Sequence, residues 1–110
     1  MKIREIIWLV QFVEKTERKH GVGVDEVEQT FASRSRIHRV EKGDVEGEDL
    51  YRLLGQTDAG RYLAVFFIYK SGGKALIISA RDMSDREREY YVHFKKQEEE
   101  GSNSKALPKP

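Results

Sequence analysis

The chain contains no cysteine, so a disulfide framework is excluded and thiolate metal sites are absent. Its three histidines, His20, His38 and His93, stand far apart, with no His-x-x-x-His pair and no EF-hand pattern beside them. No metal or other cofactor is therefore expected. A glycine-rich phosphate loop is missing too, because Ser71-Gly72-Gly73 falls between two expected strands and not between a strand and a helix. A serine nucleophile has no elbow motif to sit on. No apolar run approaches the roughly 20 residues that span a bilayer, so no membrane association is expected. The opening Met-Lys-Ile-Arg-Glu has neither the apolar stretch nor the small-residue cleavage site of a secretory signal, and a cytoplasmic location is expected. An excess of one charge is also lacking. Twenty basic residues face 19 acidic ones, and the net charge of +1 gives no global attraction to nucleic acid.

What is present is a chain of 110 residues, 38% hydrophobic and 35% charged, enough for a single compact domain with a polar surface. Ile3 to Leu9 reads as a strand because β-branched and aromatic residues dominate it. Val10 to His20 turns polar and ends at Gly21, a residue free to close a helix in the left-handed region. Val24, Val27 and Phe31 recur at helical spacing behind Asp25 and Glu26, which gives a second helix over about 24–32. Ser33 to Val40 reads as an exposed or edge strand, and Glu41 to Asp49, with Gly43 and Gly47, as a loop. Three strands follow. Leu50–Thr57 and Arg61–Lys70 are joined by the short turn Asp58-Ala59-Gly60, and Lys74–Ala80 comes after Ser71-Gly72-Gly73. Turns this short force an antiparallel meander. Leu76, Ile77 and Ile78 read as core. Ser84 followed three residues later by Glu87 is a capping box, and the last helix is expected from Ser84 to about Lys96. Residues 97–110, which hold both prolines, carry too little apolar surface to offset ordering entropy, so a domain over 1–96 with a disordered polar tail is expected. The order is β-α-α-β-β-β-β-α, an α+β fold with helices packed on the sheet.

With the common enzyme motifs absent, the chemistry must come from cations and histidine: Lys19, His20, Arg52, Arg61, Arg81, Arg86 and Arg88. A metal-free ribonuclease requires a group that takes the 2′-hydroxyl proton, fixed cations against the developing phosphorane charge, and a proton donor to the leaving oxygen. His20 suits proton transfer, since an imidazole titrates near neutrality; it equally suits the end of a helix, where its charge and that of Lys19 favour the dipole. Arg81 suits a phosphate, or else an ion pair with Asp82 or Asp85. Glu87 is explained by its capping box and acts in proton transfer only if its carboxylate is free. Tyr90 and Tyr91 could stack on bases of single-stranded RNA, but neighbours on a helix point about 100° apart, so at least one of them belongs to the core. Arg34, Arg36, His38 and Arg39 suggest a duplex-DNA contact as a weaker reading, one that would show a steep salt dependence.

Lys19-His20-Gly21-Val22 with the helix Val24–Phe31, then Tyr51-Arg52-Leu53-Leu54-Gly55-Gln56-Thr57, Gly60-Arg61-Tyr62-Leu63 and Ile78-Ser79-Ala80-Arg81-Asp82-Met83-Ser84-Asp85-Arg86-Glu87-Arg88, resembles, block by block and in order, the BrnT toxins of type II toxin–antitoxin systems. The resemblance runs from about Ile6 to Tyr91. It implies a fold similar to RelE-type ribonucleases, metal-independent endoribonuclease activity in a bacterium or archaeon, and neutralisation by a small antitoxin in a hetero-oligomer. Lys19, His20, Arg52 and Arg81 match the basic positions of that family. On this basis His20, Arg52, Arg81 and Glu87 are the expected catalytic residues, and Lys19, Arg61, Arg86, Arg88 and Tyr91 the expected RNA contacts. The chain departs from the family in having Leu9 after Trp8, where an acidic residue is common, and no Asn before Asn103. That departure favours the alternative of a non-catalytic interaction or regulatory module on the same fold.

Overall fold

The computed structural model describes residues 1–106, with side chains through Glu98. Along the chain run β1 (Glu5–Ile7), α1 (Val10–His20), α2 (Val24–Ala32), β2 (Arg36–Glu41), β3 (Leu50–Gln56), β4 (Tyr62–Lys70), β5 (Lys74–Asp82) and α3 (Asp85–Ala106). The element order is the expected one. One sheet holds all five strands in the order β1-β5-β4-β3-β2. From β2 to β5 each neighbouring pair is antiparallel, as the short turns require. The expectation of an antiparallel meander nevertheless fails at one edge, because β1 pairs parallel with β5, Glu5 opposite Lys74 and Ile7 opposite Leu76. The sheet is mixed. Nothing local in the sequence shows that the first strand joins the last one.

Several boundaries differ from the reading by sequence. β1 spans only three residues, since Leu9 already caps α1 in extended conformation and its carbonyl accepts the N–H groups of Phe12 and Val13. β5 runs past Ala80 to Asp82, which pairs with Leu63, so Arg81 lies within the strand and not at its junction. α3 extends beyond Lys96 to Ala106. Of the tail expected to be disordered, residues 107–110 lie outside the described residues. Gly21 closes α1 at φ 60°, the left-handed conformation expected of it.

The two faces of the sheet differ. On one, α1 and α2 cover a core of Val22, Val27, Leu53, Leu63, Val65, Phe67, Ala75, Ile77 and Ala80. Large side chains such as Leu53 and Phe67 are fully buried, and each contributes about 1.5–3 kcal/mol of apolar burial. α2 comes close to β3 at Gly55, where a Cβ would lie 2.9 Å from Thr30 Cβ and 3.1 Å from Ser33 Oγ. On the other face α3 sets its Tyr91 against Leu54 and Ala64, with Tyr62, Phe66, Met83 and Phe94 packed around them. A bulge in β5 divides its residues between the faces. Phe66 lies opposite Ser79 and Phe67 opposite Ile77, which leaves Ile78 as an extra residue. Ile77 therefore enters the α1/α2 core although Arg81, four positions on, emerges on the α3 side. Of the apolar run Leu76-Ile77-Ile78, Ile77 alone is fully buried.

Candidate functional site

Glu87 begins as a helix device. Its N–H donates to Ser84 Oγ at 3.2 Å and its Oε1 accepts the Ser84 N–H at 2.8 Å, which completes the capping box. The same carboxylate also takes a bidentate grip from Arg81, Nη1 to Oε1 at 2.6 Å and Nη2 to Oε2 at 3.1 Å. A third donor, Arg52 Nη1, reaches Oε2 at 3.3 Å from β3. Glu87 is only 8% exposed. Burial alone would raise its pKa; the Arg81 and Ser84 hydrogen bonds and the charges of Arg81 and Arg52 outweigh that, and the carboxyl is held below the usual range. Glu87 is thus an ionised anchor at neutral pH and a weak proton acceptor.

The two guanidiniums are fixed from other sides as well. Arg81 lies 5.2 Å over the Phe66 ring and donates Nη1 to the Asp82 carbonyl at 3.0 Å. Arg52 Nε is buried and without a partner, and among the described residues its Nη2 makes no protein hydrogen bond. Arg52 faces His38 directly across the β2–β3 pair. His38 Nε2 lies 2.8 Å from Tyr90 Oη, which also accepts Arg36 Nε–H at 3.1 Å. Burial first, then the charges of Arg36 and Arg52, lowers the pKa of His38 below its ordinary 6.5. Arg36, His38, Arg52, Arg81, Glu87 and Tyr90 thus form a continuous polar cluster where the first turns of α3 meet the open side of the sheet.

The structure separates the expected site residues. Arg52, Arg81 and Glu87 come together. Arg61 does not join them: it points to the helix-covered side and bonds Asp82 through Nε (2.7 Å) and Nη2 (3.2 Å), Glu26 through Nη1 (3.1 Å), and the carbonyls of Gly21 (2.8 Å) and His20 (3.0 Å). Its donors serve to clamp the α1–α2 turn to the end of β5. His20 lies by this clamp, where its charge acts on Asp82, on the side of β5 opposite to Arg81. Lys19 is exposed on the last turn of α1, and Arg86 is exposed on the first turn of α3. Arg88 is exposed as well, 4.5 Å over the Tyr62 ring. Tyr91, expected to touch RNA, is fully buried with its hydroxyl on the Arg34 carbonyl, whereas Tyr90 is 41% exposed. The tyrosine at the surface is Tyr90. Nor do Arg34, Arg36, His38 and Arg39 make a single basic strip: Arg36 and His38 turn to Tyr90, and Arg39 pairs with Asp49 at 3.5 Å on the exposed edge.

The sequence does not show that Arg36, His38 and Tyr90 form a group. His38 and Tyr90 are 52 positions apart, and only the alternation of β2, which sets 36 and 38 on one face, hinted at a pairing. Among the described residues no group of three or more His, Cys, Asp or Glu could hold a metal ion, and no helix is long and apolar enough to cross a membrane.

Comparison with known proteins gives the cluster its context. Residues 11–87 match a family model described as ribonuclease toxin, BrnT, of type II toxin–antitoxin system. The crystal structure of the Brucella abortus ribonuclease toxin BrnT superposes with a TM-score of 0.59 at 23% sequence identity, over 74% of this chain and 97% of that one, a likeness of fold. A comparison with curated proteins gives no match. The family match spans well over half of the chain and takes in Arg52, Arg81 and Glu87 together, and the chain belongs to the BrnT family of ribonuclease toxins of type II toxin–antitoxin systems.

Proposed function

We propose that the cluster of Arg52, Arg81 and Glu87 is where this toxin holds the RNA phosphodiester that it cuts, as a metal-independent endoribonuclease acting in the RelE manner in the cytoplasm. The observation that carries the reading is the shared carboxylate. Glu87 holds two guanidiniums in fixed positions at the edge of an open sheet face, and their combined charge exceeds its own. A phosphate arriving there meets the partly exposed guanidinium of Arg52 without the cost of ordering a flexible arginine, and the same cation stabilises the charge that builds up on the phosphorane. Glu87 acts as a positioning residue. Arg86 and Arg88 extend the cationic surface along α3, and Lys19 with His20 offers a second cationic point at the end of α1. A small antitoxin, bound as a hetero-oligomer, would silence the toxin by covering this surface.

The test is cleavage of a single-stranded RNA by the purified protein in excess chelator. Wild type should cut, and Arg52→Ala and Arg81→Ala should each lose about 100-fold or more in rate, the usual cost of deleting one donor to a developing anion. One observation favours a non-catalytic module instead: Arg81 already has the Glu87 carboxylate and the Asp82 carbonyl as partners. That alternative predicts an antitoxin complex from a wild-type protein that cuts nothing.

A further inference from the structure

Beside the phosphate site the protein places an imidazole and a phenol in direct contact, and neither has a structural task that demands it. Tyr90 is exposed and His38 sits at the edge of the sheet. We propose that His38 and Tyr90 form the proton relay that activates the ribose 2′-hydroxyl next to the phosphate held by Arg52 and Arg81, an inference that rests on the phosphate reading above. Arg36 has only protons to give, so Tyr90 Oη accepts from it; the phenol proton is then directed at His38 Nε2, 2.8 Å away. The arrangement is complete with a neutral imidazole that carries its own proton on Nδ1. The groups facing His38 are Arg36 on its own strand, Arg52 across the sheet and Tyr90 from α3, with Glu87 behind Arg52. Burial and the two arginine charges lower the pKa of the ring and so favour its neutral form before substrate arrives. The anionic phosphate then sits against Arg52 and lessens the cost of forming an imidazolium.

The step balances. The 2′-hydroxyl passes its proton to Tyr90 Oη as Oη passes its own to His38 Nε2. The 2′-oxygen forms a bond to phosphorus, the bond from phosphorus to the 5′-oxygen breaks, and the 5′-oxygen takes a proton from water. His38 later returns its proton to solvent through Tyr90. The products are a 2′,3′-cyclic phosphate and a 5′-hydroxyl.

Single-turnover cleavage of an RNA oligonucleotide in chelator, followed from pH 5 to 9, tests the relay alongside binding of the 2′-O-methyl version of the same oligonucleotide. His38→Gln and Tyr90→Phe should each lose about 100-fold or more in rate while binding changes less than about threefold. The rate of the wild type should rise with pH along an acid limb that disappears in His38→Gln. Circular dichroism checks the fold, and Tyr90→Phe, which keeps the ring, decides the matter if His38→Gln is damaged. The relay is overturned if both variants cut within about fivefold of wild type, if the acid limb survives in His38→Gln or vanishes instead in His20→Gln, or if the products carry a 5′-phosphate. A wild type that cuts no RNA overturns the phosphate reading itself and the relay with it, whereas loss of cleavage in Arg81→Ala with normal rates in His38→Gln leaves the phosphate site standing alone.

Discussion

Two arginines of similar exposure show how little a residue type says about its role. Arg61 and Arg81 have side chains 29% and 35% exposed. Arg61 joins two carboxylates and two carbonyls of the fold, and Asp82 above all, then Glu26, holds its proton still more firmly than usual despite partial burial. Arg61→Ala should therefore destabilise the protein by about 2 kcal/mol, the typical worth of lost hydrogen bonds to charged groups, as read from urea unfolding. Arg81→Lys should cost little stability but lose the planar fork, so its defect should appear in cleavage. Asp82 and Glu87 give a pH signature. The Arg61 hydrogen bonds lower the Asp82 pKa from 3.8, and the arginines lower that of Glu87 from 4.5 against its burial. The unfolded chain thus binds more protons, and this share of stability is fully present above about pH 4.5 and is lost as pH falls through the lower folded values. The melting temperature should hold down to about pH 5 and then decline. Glu87→Gln should melt lower at neutral pH and decline less steeply.

At the level of elements, α2 comes close to β3 at Gly55. Gly55→Ala would force Thr30 and Ser33 outward, and overpacking of this kind costs about 1–3 kcal/mol; a chemical denaturation midpoint unchanged from wild type would show that α2 can shift at no cost. Elements made by local chemistry were readable from the sequence. The αL Gly21, the Ser84–Glu87 box and the hairpin turns each act within a few residues. What could not be read depends on distant partners. β1 pairs with β5, Glu5 opposite Lys74, far along the chain, the bulge at Ile78 broke the simple alternation that would have set Arg81 on the buried side with Ile77, and α3 ran on past Lys96. The same division holds for the site. Arg52, Arg81 and Glu87 are each legible in the sequence, but the ion pair expected for Arg81 was with Asp82 or Asp85 and is with Glu87, and the contact of His38 with Tyr90 joins residues that the sequence gives separate roles.

For the whole molecule, a net charge of +1 means that RNA affinity comes from a few placed cations and not from a general field. If about three arginines contact the backbone, a log–log plot of affinity against salt should have a slope of about −2 for single-stranded RNA. A slope of −5 or steeper would point to a broad basic surface. The double use of Glu87, which starts α3 and anchors both arginines, also bears on how such a toxin can be lost. In cells selected for survival of its expression, missense changes at Glu87 should be found with depleted protein, because the helix start is damaged along with the site. Changes at His38 or Tyr90 can silence the chain and leave it abundant. Survivors that still accumulate full-length protein should therefore carry their mutations on β2, on the outer face of α3 or as a conservative change at Arg81. A disarmed but intact copy of this kind would still engage the antitoxin, and so could persist as a sink that lowers the free antitoxin available to an active toxin.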